Sequence, residues 1–185
     1  DRGLVGSEMC IRDRNKVMEN YQKNIVDPKY VYEKLDAKNF KVIDCTVYFE
    51  LKKVGASTIH SGYEDYLKRH IPGSAYLHMV DDLSEKDNPI PFSIVSQEKL
   101  NEKLSSIGIN NEDEIILYGS GFHMAITRAW WVLTMSGAKN VKIMNGGLAS
   151  WQKQNFPLST GEEVFAKGNF QGARTVSYTH LTLPT

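Results

Sequence analysis

The stretch Ile115-Ile116-Leu117-Tyr118-Gly119-Ser120-Gly121-Phe122-His123-Met124 runs from apolar residues through a glycine-rich loop into an apolar helical pattern carrying Arg128, Trp130 and Trp131. In an α/β fold such a loop lies at the carboxyl edge of a buried strand and at the positive end of a helix dipole, where anionic ligands are handled. The loop contains no cysteine. Ser120 and His123 stand three residues apart as a possible nucleophile and base, but no third group is evident to orient the imidazole. The plainer reading is a turn serine and a histidine at a helix start. A phosphatase-like site would need cysteine six residues before Arg128, and that position is Phe122.

Three further residues carry reactive groups. Cys45 closes an apolar stretch, yet no helix N-terminus or base is evident to activate it, so a small buried space-filler is the simpler expectation. His70, before Ile71-Pro72-Gly73, is placed to act as an acid or base, or more plainly to hydrogen-bond a neighbouring loop and close it. Arg128 suits an anion or, as a deep charge that must be paired, a structural ion pair with a residue such as Asp44. Trp130, Trp131 and Trp151 are read as packing groups rather than a ligand cage.

The elements that must position these groups follow from period and punctuation. Asp27-Pro28 reads as an N-cap and first helical residue, with Val31 and Leu35 at i, i+4 behind them. Phe40-Lys41-Val42-Ile43-Asp44-Cys45 is a short apolar strand ending in a carboxylate. Residues 61–69 read as a helix stopped by His70-Ile71-Pro72-Gly73, since the residue before proline leaves the α region. Residues 83–95 form a polar connection with little periodicity. Ser96 caps a helix with Leu100, Leu104 and Ile107 on one face and Gly108 beyond its end. Residues 114–118 are a buried strand, and 123–136 a helix apolar nearly all round, expected to be central rather than superficial. Residues 141–144 are another strand, turned by Gly146-Gly147 into a helix carrying Leu148 and Trp151. Strands alternating with helices predict an α/β fold with a parallel sheet and helices on both faces. Right-handed crossovers then bring Asp44, Tyr118 and Asn145 to one rim.

Length and charge bound the function. A chain of 185 residues holds one domain with a substantial core, and its formal charge of zero with interspersed signs offers no polybasic face for nucleic acid. No apolar run is long enough to cross a membrane. Two cysteines make neither a disulfide framework nor a metal-ligand pattern. The N-terminus lacks the apolar stretch of a secretory signal, and a cytoplasmic setting is expected. Residues 1–14 and 176–185 share no pattern with the middle, and both resemble translated sequencing-adapter read-through. They are expected to be foreign or disordered, with the biological part a truncated reading frame from about Asn15 to about Thr175.

The order Asp44-Cys45-Thr46-Val47-Tyr48, then Tyr66-Leu67-Lys68-Arg69-His70-Ile71-Pro72-Gly73-Ser74, then the Tyr118 loop with Arg128-Ala129-Trp130-Trp131, then Asn145-Gly146-Gly147-Leu148-Ala149-Ser150-Trp151 resembles a rhodanese-like domain. More narrowly, it is similar to the N-terminal, non-catalytic domain of two-domain thiosulfate and 3-mercaptopyruvate sulfurtransferases. The resemblance implies a five-stranded parallel sheet over 15–160, an inter-domain linker beginning in 161–175, and a C-terminal rhodanese domain as partner. It also implies a small anionic sulfur donor and a cysteine persulfide carried by that missing domain, with no metal or organic cofactor. Gly119 matches the position where the nucleophilic cysteine stands in the catalytic half, so Gly119 to Met124 would be a vestigial loop that keeps an amide cradle. Asp44, His70 and Arg128 become candidates for the rim or the inter-domain face, which is expected to carry apolar surface. The alternative is a free-standing, non-catalytic module that binds an anion or a protein. A weaker one is sulfur transfer through Cys45.

Overall fold

The computed structural model describes residues 23–52, 58–90 and 92–174. Residues 1–14 and 176–185, the expected foreign ends, lie outside the described residues. Five parallel strands form the main sheet: β1 (Ile25–Val26), β2 (Phe40–Asp44), β5 (Ser74–Tyr76), β6 (Glu114–Tyr118) and β7 (Asn140–Met144). Their order is β1-β7-β6-β2-β5, which puts β6 at the centre. A separate antiparallel hairpin joins β3 (Val47–Glu50) to β4 (Thr58–Ser61).

The alternation of a strand buried on both faces divides the core in two. Ile115 and Leu117 of β6, with Ile43 of β2, pack on one side beneath helices α3 (Gln97–Ser106) and α4 (His123–Met135). Ile116 and Tyr118, with Phe40 and Val42, pack on the other with α1 (Pro28–Lys34) and α5 (Gly147–Lys153), where Trp151 is fully buried. The short α2 (Tyr63–Lys68) follows the hairpin. Ser96 caps α3 by accepting from the Lys99 amide at 3.4 Å. Pro28 opens α1, whereas the Asp27 carboxylate at the cap position makes no capping bond.

One expectation changes in the structure. Helix α4 is not enclosed: Ala125, Ile126, Ala129, Val132 and Leu133 are buried, but Met124 is 65% exposed and Trp131 40%. Its apolar residues therefore face both ways, and one apolar face is open. Residues 158–174, which include most of the expected linker start at 161–175, lie along the domain without regular secondary structure. The Gly161 amide donates to Leu67, Gly168 to Ser105 and Phe170 to Ile109, and the Phe170 ring is buried in the core above α3. No described helix is long and apolar enough to cross a membrane.

Candidate functional site

The parallel sheet brings the carboxyl ends of β2 and β6 side by side, with Asp44 in register with Tyr118. The Cys45 amide donates to the Tyr118 carbonyl at 2.8 Å and extends the pairing to the first residue of the loop. Asp44 is almost fully buried. Its Oδ1 accepts from the Thr46 amide at 2.8 Å and from the Thr46 hydroxyl at 2.5 Å. That hydroxyl oxygen in turn accepts from the Ser120 amide at 3.0 Å. The buried carboxylate thus holds the loop through one hydroxyl. Burial pushes the Asp44 carboxyl above its usual range, against hydrogen bonds from Thr46 and Tyr118 that favour ionisation. On the same face the Tyr118 hydroxyl accepts from the Ile71 amide at 3.2 Å and lies 3.1 Å from the Ser74 hydroxyl.

The loop itself is clamped from two sides. Gly121 has φ +76, and a β-carbon on it would lie 2.6 Å from the Val47 carbonyl oxygen, so glycine is required under β3. The Phe122 amide donates to that same Val47 carbonyl at 2.9 Å. The Ser120 and Phe122 amides are therefore spent inside the protein, on Thr46 and Val47. The amide cradle expected from the sequence is accordingly reduced. A β-carbon on Gly119 would sit 3.2 Å from the Thr46 amide nitrogen and 3.3 Å from Ile126, tight but without a positive φ.

The other candidates take separate places. Cys45 is buried beneath the loop, and burial pushes its thiol well above the ordinary range, reinforced by the negative charges of Asp44 and Asp82. It has no thiolate character at neutral pH. Ser120 and His123 share no hydrogen bond among the described residues, and His123 is exposed. His70 is fully buried; its Nδ1 donates to the Tyr66 carbonyl at 2.8 Å and its Nε2 faces Glu163 Oε1 at 3.3 Å. Its backbone exchanges two hydrogen bonds with Ser159, so it fastens the 159–163 segment to the domain.

Arg128 does not pair with Asp44. Its Nη2 donates to the Phe92 carbonyl at 2.7 Å, the Ser84 hydroxyl at 3.1 Å and the Leu83 carbonyl at 3.3 Å, which staples the 83–95 connection onto α4. Beside it lies a groove of about 680 Å³, walled by Phe49, Phe92, Phe122, Met124 and Trp131 and adjoining the loop. Phe49 of the hairpin stacks on Phe122 with ring centroids 4.8 Å apart. Sequence reasoning missed this groove because one wall comes from the hairpin, whose exposed Tyr48 and Phe49 do not alternate as a half-buried strand should.

Comparison with known proteins places this arrangement. The model of the rhodanese-like domain matches residues 27–154. The 3-mercaptopyruvate sulfurtransferase of Escherichia coli (strain K12) is 31% identical over 130 residues, covering 67% of this chain and 46% of the relative. A putative thiosulfate sulfurtransferase, SseB of Mycobacterium tuberculosis (strain ATCC 25618 / H37Rv), is 31% identical over 114 residues, or 58% and 39%. The crystal structure of SseA from Escherichia coli, a 3-mercaptopyruvate sulfotransferase of rhodanese fold, superposes with a TM-score of 0.68 at 27% identity, covering 82% of this chain and 57% of that one. The chain thus spans about half the length of the curated relatives it matches.

Proposed function

The chain belongs to the rhodanese-like family, and from that premise we propose that it is the N-terminal, supporting half of a sulfurtransferase. The whole protein would move sulfane sulfur from thiosulfate or 3-mercaptopyruvate to a thiophilic acceptor such as cyanide or a thiol, in the cytoplasm. A cysteine persulfide in a C-terminal rhodanese domain would carry the sulfur.

One observation carries this reading: Gly119 stands at the first loop position after the central strand, where a sulfur carrier would need its thiolate. In sulfur transfer a thiolate attacks the donor's transferable sulfur, forming a new S–S bond as the donor's own bond to the transferred sulfur breaks and its electron pair leaves with the donor remnant; a second nucleophile then removes the outer sulfur. Gly119 offers no atom for the first bond, and Cys45 is buried and protonated beneath it. The role left to this half is to wall the cleft and stabilise its partner, and the open apolar face of α4 beside the loop supports that role. The free-standing anion-binding alternative has less support, because two loop amides that would hold an anion are already bonded to Thr46 and Val47.

The test is a thiocyanate-release assay with thiosulfate or 3-mercaptopyruvate as donor and cyanide as acceptor. The chain alone should be silent, and the chain joined to its downstream half should turn over. Sustained turnover by the chain alone would sink the reading.

A further inference from the structure

Among the described residues, Arg128 is a half-buried cation without a counter-ion. No carboxylate among the described residues forms a salt bridge with it, although eight lysine–carboxylate pairs occur elsewhere in the described structure. Its Nη2 is saturated by neutral acceptors, and its Nε is buried with no partner. Burial pulls its pKa down from the ordinary arginine range. It lines a largely apolar groove whose walls include Phe49, Phe92, Met124 and Trp131, with Thr127 beside it. A guanidinium in such surroundings gains most from a carboxylate that arrives with apolar groups around it, because both charges then share a site from which water is excluded.

We infer that Arg128 is the seat of a carboxylate supplied by the second half of the sulfurtransferase, a side chain flanked by apolar residues that fill the groove. This rests on the two-domain reading above. One observation favours that supplier: the chain spans about half the length of its curated relatives.

The chain without its second half should bind octanoate, the probe for a carboxylate on an apolar body, and Trp131 fluorescence should report it; Trp131→Phe should remove the signal. 1-Octanol, with the same alkyl length and no charge, should bind ~10-fold more weakly. Arg128→Gln should erase that preference. This variant also loosens the Leu83 and Phe92 carbonyls, so Met124→Glu supplies an independent arm. Met124 is exposed one helical turn before Arg128, and a carboxylate there should fill the seat and abolish the preference for octanoate. Equal affinity for the two probes in the unaltered chain overturns the seat. In the protein extended by its second half, octanoate should no longer bind. Undiminished binding there overturns the second half as supplier, whereas the two-domain reading itself is judged by sulfur transfer.

Discussion

Gly147 lies so close to Gly119 that a β-carbon on it would sit 2.2 Å from the Gly119 carbonyl oxygen. The contact brings the N-terminus of α5 against the loop after the central strand, and it explains the Gly146-Gly147 pair. Both glycines have positive φ, +73 and +54, but only Gly147 meets backbone of another element, and its contact is the shorter, 2.2 Å against 2.6 Å from Ser150 Cβ for Gly146. Gly147→Ala should therefore cost about 2 kcal/mol or more. Gly146→Ala, whose β-carbon would meet only the Ser150 side chain, should cost less. Urea unfolding of both variants checks the order, and equal costs would detach the effect from the Gly119 contact.

Gly119→Cys asks whether a missing thiol is all that separates this loop from a catalytic one. A β-carbon there has ordinary φ and contacts of 3.2–3.3 Å, so the variant should fold with a loss of about 1 kcal/mol. It should nevertheless fail to sustain thiocyanate release, because the Ser120 and Phe122 amides point to Thr46 and Val47 rather than to a thiolate. Steady turnover comparable to that of the relatives would show that the remaining amides suffice.

Thr46 mediates between the Asp44 carboxylate and the Ser120 amide. Thr46→Val keeps the shape, strands a buried amide and removes one of the bonds that favour the ionised Asp44. A cost of about 2 kcal/mol is expected at neutral pH, largely restored by Thr46→Ser. Asp44 already has its carboxyl raised above the ordinary 3.8 by burial. The stability tied to its protonated form is therefore complete below that value and is lost as pH rises through the folded one. Removing the hydroxyl raises the folded value further and deepens this loss. The gap between variant and parent should accordingly be smaller near pH 3 than at pH 7; a gap independent of pH would mean that the hydroxyl does not act through Asp44.

Much of this arrangement was legible in the chain. The apolar stretches ending at Asp44, Tyr118 and Met144, and the helices between them, carry strong periods, and a parallel sheet with one functional rim follows from their alternation. Strands β1 and β5 span two and three residues, too few to display a period. Hydropathy could not distinguish the enclosed side of α4 from its open one, because Trp131 and Met124 are as apolar as Leu133. The expected pairing of Arg128 with Asp44 failed for a local reason: the carboxylate turns back on Thr46, two residues away, and sequence spacing does not reveal which way a side chain points. The path of residues 158–174 along the domain was not legible, because Phe170, the ring they bury, sits among polar residues with no repeat to announce it.

Glu114 should dominate the acid sensitivity of the opposite edge of the sheet. At the start of β6 it accepts from the Tyr30 hydroxyl at 2.6 Å, Lys142 at 2.7 Å and Lys34 at 3.0 Å, tying α1, β6 and β7 together. Burial works against its ionisation, but the bonds from Lys142, Tyr30 and Lys34 outweigh it and hold the carboxyl below the ordinary 4.5. A lowered folded value means that the stabilisation is complete above 4.5 and disappears as pH falls through the folded value. Glu114→Gln should then cost about 2 kcal/mol at pH 7, since charged hydrogen bonds to a mostly buried group are replaced by weaker ones. The difference between the two proteins should shrink as the pH is taken below 4. Melting curves of parent and variant across pH 3–7 make the comparison, and a constant offset would show that the bonds to Lys34 and Lys142 contribute through shape rather than charge.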